Sequence, residues 1–138
     1  MKAVTKVRDV MRHSFPTVSP SDSVARAASK MTESGHTVLP VCREGKLRGV
    51  IRQRDIVALA ASTKHLHPHR VRVATVMDGT YPKVCPGQDL LEATRRMLQW
   101  GVEEVPVVQN GRISGLLVLD DIGRSAPGVV AWARLLQE

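Results

Sequence analysis

Three arginines close together offer the clearest chemistry in the sequence. Arg48, Arg52 and Arg54 stand where an apolar run gives way to a run of helix-forming residues. A helix start presents free N–H groups and the positive end of the helix dipole, and guanidinium groups bind phosphate oxygens in pairs. Two interpretations stay open for Arg52: it grips a phosphate with its neighbours, or it fills the space and pairs with Asp55. Asp55 also suits the first turn of a helix for the dipole alone.

Alternating histidines and two separated cysteines are the other residues with ligand or redox chemistry. His65, His67 and His69 have a spacing that suits zinc or nickel, yet no carboxylate or fixed geometry accompanies them. They are interpreted as loop histidines, and no metal site is predicted. Cys42 lies on a strand predicted to be buried, where it acts as a small apolar filler, and Cys85 stands next to a predicted strand. Neither belongs to a C-x-x-C pair, so both are predicted to be free thiols.

No constellation of catalytic residues is visible. The sequence has no nucleophile elbow, no P-loop and no H-E-x-x-H, so we predict that the protein is not an enzyme and requires no cofactor. Single-strand nucleic-acid binding would want aromatic stacking platforms among the basic residues, and the chain has only four Phe, Tyr and Trp. Nonspecific contact with phosphate backbones is the only nucleic-acid function left open.

The charge is unevenly distributed along the chain. Residues 1–72 hold 14 Lys and Arg against 5 Asp and Glu, or +9, whereas residues 73–138 hold 6 against 8, or −2. A basic half attracts a phosphate-bearing ligand, a nucleic acid or the less basic half of a second copy, or it is simply a solvated face. No apolar run approaches the roughly 18 to 20 residues of a membrane span, and no signal peptide is visible. A cytoplasmic protein without membrane contact is expected.

An internal repeat organises these residues. A shift of 66 residues aligns residues 7–57 with residues 73–123 without a gap. Because proline and glycine impose special backbone geometry, their repetition in register predicts one supersecondary unit used twice. At 138 residues the two halves have to share one core. Identical pairs include Pro16/Pro82, Pro20/Pro86, Pro40/Pro106, Gly49/Gly115 and Asp55/Asp121.

Each repeat is predicted to hold a helix and then a hairpin. Ser23 and Asp89 are predicted N-caps, and Gly35 and Gly101 are predicted to end the two helices. Two short strands follow in each repeat. They span residues 37–42 and 47–51 in the first repeat and 104–108 and 113–117 in the second, joined by turns at Glu44-Gly45 and Asn110-Gly111.

A second helix closes each repeat. In the first repeat it is predicted over residues 54–61, which are good helix formers. In the second repeat Gly123 and Pro127 are predicted to end it early, with a restart near Pro127 or Gly128. The restarted helix is too apolar to stay in water, so it has to pack on the module or on another copy.

A short entry strand is also predicted before the first helix of each repeat, at Thr17–Pro20 and at Val84–Pro86. The order strand, helix, strand, strand, helix therefore occurs twice, and the chain resembles the CBS domain family from Val7 to Ile122. Its size and apolar C-terminus are also similar to those of the small two-repeat hypoxic response proteins. The resemblance implies an α+β fold, a CBS-domain pair of two β-α-β-β-α repeats with pseudo-two-fold symmetry. It divides the chain into repeat 1 (1–61), a linker (62–72), repeat 2 (73–126) and a C-terminal helix (127–138). The motifs that carry it are Val7–Met11, Thr17–Pro20, Leu39–Val41 and Gly49–Asp55, with second copies at Val73–Met77, Val84–Pro86, Val105–Val107 and Gly115–Asp121.

The resemblance also implies a ligand. In many CBS pairs, clefts between the repeats hold adenine nucleotides; a Thr or Ser contacts phosphate, and an Asp accepts hydrogen bonds from the ribose. It implies AMP, ATP, S-adenosylmethionine or another phosphate-bearing small molecule as ligand, and a homodimer as the assembly. The implied ligand-binding residues are Thr17, Val18, His36, Leu39, Pro40, Arg52, Asp55, Lys83, Val84, Val105, Pro106, Val118 and Asp121.

Two of these residues depart from the family pattern. Arg52 and Val118 occupy the two Thr or Ser positions, and Val118 has no side-chain hydrogen-bonding group, so the second cleft loses a phosphate contact. The leading hypothesis is a stand-alone regulatory or sensor module that binds an anionic ligand. The alternatives are a ligand-free interaction or dimerisation module, in which the apolar tail around Trp132 makes the contact, and a nonspecific nucleic-acid binder.

Overall fold

The computed structural model of the chain describes residues 3–62 and 67–137. These residues form two compact units, which we call the first unit (Pro16–Tyr81) and the second unit (residues 3–15 and 82–137). Each unit combines helices with one antiparallel hairpin, which confirms the α+β class and the repeated supersecondary unit. None of the helices in the described part of the chain has the length and apolar character needed to cross a membrane.

The first unit places its core between a helix and a hairpin. Strands β1 and β2 pair antiparallel, with Leu39 opposite Ile51, and the register shifts between Val41 and Cys42. Fully buried apolar residues of the hairpin face Val24 and Ala27 of the preceding helix in one core cluster. The elements are α1 (Val24–Ser34), β1 (Val38–Arg43), β2 (Lys46–Arg52), α2 (Gln53–Ser62) and α3 (Val73–Val76).

The second unit repeats this plan and adds one helix. Its hairpin shows the same register shift, here between Val107 and Val108, 66 residues after the first. The additional helix α6 packs on α4 and α5 and buries Ala133 completely, which is the first of the two packings that the apolar sequence left open. The elements are a 3-10 turn (Val7–Asp9), α4 (Leu90–Trp100), β3 (Glu104–Gln109), β4 (Arg112–Val118), α5 (Leu119–Ser125) and α6 (Pro127–Leu135).

The predicted helix ends and turns are confirmed. The side chain of Ser23 accepts a hydrogen bond from the backbone N–H of Arg26, and Asp89 caps α4 in the same way. Both hairpin turns place two successive residues at positive φ, as type I′ turns require. These pairs are Glu44 (53°) with Gly45 (79°) and Asn110 (54°) with Gly111 (78°).

The first strand of each repeat is shorter than predicted. It is reduced to a single parallel bridge, Val18 with Val41 in the first unit and Val84 with Val107 in the second. Val18 is flanked two residues away on both sides by Pro16 and Pro20, and Val84 is flanked by prolines in the same way. A ladder uses the N–H of every second residue, and proline has none, so the pairing cannot extend.

The predicted break near the C-terminus is confirmed at Pro127 but not at Gly123. Helix α5 runs through Gly123 and ends at Ser125, and α6 begins at Pro127. A glycine inside a helix costs only about 1 kcal/mol, whereas proline cannot continue the hydrogen-bond ladder and fits the first turn of a new helix.

The packing units are offset from the sequence repeats. The backbone N–H of Arg8 donates to Pro86 and that of Leu90 to Thr5, so the N-terminal segment belongs to the second unit. In the first unit, Ala74 donates to the carbonyl of Pro20 in the corresponding way. The two repeats therefore exchange their leading segments, which places residue 12 beside β4 and residue 78 beside β2.

Candidate functional site

The junction of β2 and α2 in the first unit holds Arg52 on Asp55. The backbone N–H and Nε of Arg52 both donate to Oδ2 of Asp55, at 2.9 and 3.0 Å, and Nη2 donates to Oδ1 at 2.9 Å. Both side chains are largely buried, with 21% and 15% of their surface exposed. Of the two interpretations left open for Arg52, pairing with Asp55 describes the contacts seen here.

Two further residues surround the Arg52 guanidinium. Oδ2 of Asp78 lies 3.7 Å from Nη2 of Arg52, and the guanidinium carbon lies 5.9 Å from the centroid of the Tyr81 ring. Asp78 is held there because its backbone exchanges two hydrogen bonds with Val50 of β2, of 3.0 and 2.8 Å. Hydrogen bonds from Thr80 lower the pKa of Asp78, and the charge of Arg52 lowers it further. Arg52 thus sits between two carboxylates beside an aromatic face.

The corresponding junction in the second unit holds its aspartate with a different arginine. Nε of Arg12 donates to Oδ2 of Asp121 at 2.6 Å, and Nη2 donates to Oδ1 at 3.0 Å. The backbone of Arg12 exchanges hydrogen bonds of 2.8 and 3.0 Å with Leu116 of β4, which fixes the origin of the side chain. The hydrogen bond to Asp121 raises the pKa of Arg12 above its ordinary value. Val118, at the end of β4, contributes no polar side-chain group.

Equivalent positions of the two junctions carry different charges. By the 66-residue repeat, Arg12 corresponds to Asp78, and Arg52 corresponds to Val118. Arg12, Asp78 and Tyr81 are site residues that sequence reasoning missed. The sequence showed these residues only as opposite charges at the equivalent positions 12 and 78. Because the leading segments are exchanged, each of the two residues lies at the junction of the other repeat.

The other predicted residues of the first unit lie along β1. The N–H of Val18 donates to the carbonyl of Pro40 at 3.0 Å, which brings Thr17 and Val18 alongside Leu39 and Pro40. Nζ of Lys30 donates to the carbonyl of Thr17 at 2.6 Å, so an ammonium group stands beside this segment. These residues and the Arg52 junction share one unit.

The second unit groups its predicted residues in the same way. The N–H of Val84 donates to the carbonyl of Pro106 at 3.1 Å, next to Val105, and Lys83 is exposed beside them. Glu104 is buried and lies directly across the hairpin from Val118. The corresponding pair in the first unit is Val38 opposite Arg52.

His36 is placed apart from the arginine contacts. It lines an open groove of about 410 Å³ between α1 and α2 in the first unit. Gln53, the neighbour of Arg52 along the chain, also lines this groove. The remaining lining residues are Ala28, Met31, Thr32, Gly35, Thr37, Ile56 and Val57.

The histidines and cysteines bring no further centre together among residues 3–62 and 67–137. The rings of His67 and His69 lie 5.0 Å apart, and His65 lies outside the described residues. Within those ranges, no group of three or more His, Cys, Asp or Glu side chains is arranged to hold a metal ion. Cys42 and Cys85 are free thiols; burial raises the pKa of Cys42, and Cys85 is exposed.

Comparison with known proteins matches both repeats. The model of the CBS domain family matches residues 7–62 and 73–127. The CBS domain-containing protein YhcV of Bacillus subtilis is 28% identical over 119 residues, covering 86% of this chain and 84% of YhcV. Hypoxic response protein 1 of Mycobacterium tuberculosis is 28% identical over 127 residues, covering 90% of this chain and 87% of that protein.

Two solved structures share this fold at 28% sequence identity. Hypoxic Response Protein I with two coordinated zinc ions superimposes with a TM-score of 0.78, covering 89% of this chain and 100% of that one. CBSX2 in complex with AMP also gives a TM-score of 0.78, covering 90% of this chain and 97% of CBSX2.

Proposed function

The chain belongs to the CBS domain family, and from that membership we propose that it is a regulatory module that binds an adenine nucleotide or another phosphate-bearing small molecule. The solved complex of CBSX2 with AMP, at 28% identity over most of both chains, supports an adenine nucleotide as the ligand class. The module acts by binding rather than by catalysis, since its sequence carries none of the catalytic motifs considered above. A homodimer is the proposed assembly, in the cytoplasm.

The position of Arg52 is the observation that carries this proposal. Its guanidinium stands at the first residues of α2, a ten-residue helix, where related CBS domains use a Thr or Ser hydroxyl for phosphate. A guanidinium offers a phosphate paired, charge-assisted hydrogen bonds that are stronger than those of a hydroxyl. When Arg52 turns to the phosphate, the carboxylate of Asp55 becomes available to accept hydrogen bonds from the ribose hydroxyls.

Ligand capture by Arg52 would also change the contacts of its own unit. Arg52 reaches Asp78 as well as Asp55, and Asp78 anchors the segment that follows α3 onto β2. A ligand that takes the guanidinium removes part of this attachment, and it shifts the protein toward whichever arrangement binds the ligand better. Ligand binding would then be transmitted to the rest of the unit as a change in the position of residues 77–81.

Calorimetry with AMP, ATP and S-adenosylmethionine at near-physiological salt tests the proposed function. We expect at least one of them to bind, and Arg52→Ala to weaken that binding at least about tenfold, because a charge-assisted pair is lost. Arg43→Ala is the matched control, since Arg43 is an exposed arginine of the same unit at the opposite end of the hairpin from Arg52. Equal weakening by both variants would show that only net charge matters and would contradict the assigned role of Arg52.

Two observations favour a second candidate function, a ligand-free interaction module. Asp55 and Asp121 both have their two carboxylate oxygens occupied by arginine. Trp132 and Leu135 of α6 remain 58% and 57% exposed and offer an apolar contact. Failure of all three nucleotides to bind the wild-type protein would favour this function over the first.

A further inference from the structure

Three stretches of chain meet at one end of the first unit, and we call them together the basic end. They are residues 19–26, 43–48 and 67–72. The segment around Val18 runs parallel to β1, so the chain leaves both at the same end of the unit. It continues from the first into the start of α1 and from the second into the hairpin turn. The start of α1 and the hairpin turn therefore lie at the same end.

Hydrogen bonds hold the third stretch, residues 67–72, on the start of α1. The backbone N–H of Val24, the first residue of α1, donates to the carbonyl of Val71 at 2.8 Å. Nη1 of Arg72 donates to the carbonyl of Ser21 at 3.1 Å. The charged side chains of this stretch are thus brought to the same end of the unit as those of the other two.

The basic end carries more positive charge than the fold requires. Its two carboxylates are Asp22, whose Oδ1 lies 4.0 Å from Nε of Arg26, and Glu44. The equivalent stretches of the other repeat, residues 85–92, 109–114 and 1–6, hold three Lys and Arg against two Asp and Glu. The surplus is therefore particular to the first unit. The exposed cations of the basic end are Arg26, Arg43, Lys46, Arg48, Arg70 and Arg72.

Some of these cations stand where electrostatics opposes the fold. Arg43 lies directly across the hairpin from Lys46, and like charges in that position destabilise a strand pair. Arg26 lies in the first turn of α1, which holds no acidic residue, and a cation there is unfavourable with the helix dipole. The second unit has Gln109 and Glu92 at the equivalent positions of the two arginines, which avoid both costs. An anionic partner gives the cations of the first unit a function.

The chemistry of the basic end favours phosphate groups arranged along a chain. Five of its six cations are arginines, whose guanidinium groups bind phosphate oxygens in pairs. The first unit contains one Phe, Tyr or Trp, and this residue, Tyr81, lies beside Arg52, so unpaired bases find no stacking platform at the basic end. The three stretches also offer no apolar anchor for a protein or a membrane, since the exposed large apolar side chains of the described residues are Val57, Trp100, Trp132, Leu135 and Leu136.

From these observations we infer that the basic end binds the phosphate backbone of a nucleic-acid duplex without reading its sequence. The surface is separate from the Arg52 junction. Arg52 lies opposite Val38 at one end of β1, and Arg43 lies about 17 Å further along that strand, at about 3.3 Å per residue. The inference does not depend on nucleotide binding at Arg52, so a chain that binds AMP and no duplex, or a duplex and no AMP, contradicts one proposal and supports the other.

Fluorescence anisotropy of labelled duplexes of mixed sequence, titrated with the full chain, tests the inference. We expect binding at about 50 mM salt that weakens at least about tenfold by about 200 mM, because each phosphate contact releases counterions. Two DNA duplexes of unrelated sequence should bind equally, and a preference between them would contradict backbone recognition. An RNA duplex is the other source of the same backbone chemistry. Binding of DNA or RNA supports the inference, and binding of neither overturns it.

Arg43→Gln combined with Arg70→Gln removes two cations from the basic end. We expect duplex binding at least about tenfold weaker, and a dependence of log affinity on log salt that is less steep by about 2. The other repeat has Gln109 at the equivalent of position 43, so the fold accommodates the change, and thermal unfolding verifies it. Arg112→Gln with Arg124→Gln is the matched control, because it removes two exposed arginines from the second unit. Equal weakening by both double variants would show that only net charge matters and would overturn the inference.

Two further measurements separate this surface from its rivals. Arg52→Ala should leave duplex binding unchanged, because that guanidinium is largely buried beside two carboxylates at the other end of the hairpin. Loss of duplex binding in Arg52→Ala would overturn the assignment to the basic end. Poly-L-glutamate that binds as tightly as the duplexes at the same salt would assign the surface to an acidic protein segment instead. These two results and the wild-type salt dependence decide the matter if the double variant of the basic end fails to fold.

Discussion

Asp55 and Asp121 keep one interaction while the residues that supply it differ. Each carboxylate receives two hydrogen bonds from a guanidinium, from Arg52 in one unit and from Arg12 in the other. Paired charge-assisted bonds satisfy a carboxylate wherever the arginine originates, provided that the geometry is planar and close. Both units therefore contain the same aspartate–arginine pair, although the two arginines do not occupy equivalent positions in the repeats.

At the residue scale, Asp78→Asn should change how stability depends on pH. The pKa of Asp78 is lowered from 3.8 mainly by hydrogen bonds from Thr80, so its carboxylate is favoured in the folded state. A lowered folded-state pKa contributes stability that is present above the unfolded value and lost as pH falls through the folded value. The free energy of unfolding of the wild type should therefore exceed that of Asp78→Asn above about pH 5, and the difference should shrink below about pH 4.

Urea unfolding of both proteins between about pH 3 and pH 6 measures this difference. Glu33→Gln, at an exposed side chain of α1, provides a control with the same change of charge. A difference between wild type and Asp78→Asn that stays constant over the whole range would show that Asp78 is not held as a carboxylate.

At the scale of elements, β2 and β4 each have a glycine where the backbone of a leading segment lies against the strand. A Cβ atom on Gly49 of β2 would lie 2.5 Å from the carbonyl oxygen of Asp78, and one on Gly115 of β4 would lie 2.8 Å from that of Arg12. Backbone atoms cannot move aside as the end of a flexible side chain can. The repeated glycines are thus explained by the exchanged segments, which carry the two charged residues to the junctions.

Gly49→Ala should destabilise the first unit and separate Asp78 from Arg52. We expect a loss of about 1–3 kcal/mol in the free energy of unfolding, the usual cost of overpacking. Gly79→Ala is the matched control, because the nearest atom to its Cβ would lie at an ordinary 3.6 Å. Denaturant unfolding should leave the control within about 1 kcal/mol of the wild type. Equal stability of Gly49→Ala and Gly79→Ala would mean that β2 and residue 78 are further apart than described.

At the scale of the whole molecule, the described part of the second unit differs from that of the first by the additional helix α6. It covers α4 and α5 in the second unit through Ala133, whereas the corresponding face of α1 and α2 in the first unit remains an open groove. The opposite side of α6 leaves Trp132, Leu135 and Leu136 between 46% and 58% exposed. An exposed apolar stripe of this kind is typical of a protein contact.

Trp132→Glu combined with Leu135→Glu should dissociate the proposed homodimer. Both side chains are more than half exposed, so the fold should be little affected while the apolar contact is lost. Light scattering coupled to size-exclusion chromatography gives the mass in solution, and Arg134→Ala on the same helix is the control. An unchanged dimer mass in the double variant would show that assembly uses a different surface.

The sequence by itself determined the features that depend on residues close along the chain. The N-caps Ser23 and Asp89, the type I′ turns and the restart at Pro127 are each set by the backbone preferences of a few neighbouring residues. The 66-residue repeat added the knowledge that the local pattern occurs twice. The repeated α+β unit could therefore be predicted, the motifs within it carried the resemblance to the CBS domain family, and both are confirmed.

Only the tertiary structure decided which charges meet. Arg12 and Asp121 are 109 residues apart, and no local preference links them. Their contact requires the N-terminal segment to lie on β4, and that packing follows from burial of Val7 and from close approach at Gly115. A guanidinium pairs with any carboxylate within its reach, so its partner depends on the path of the backbone rather than on sequence spacing.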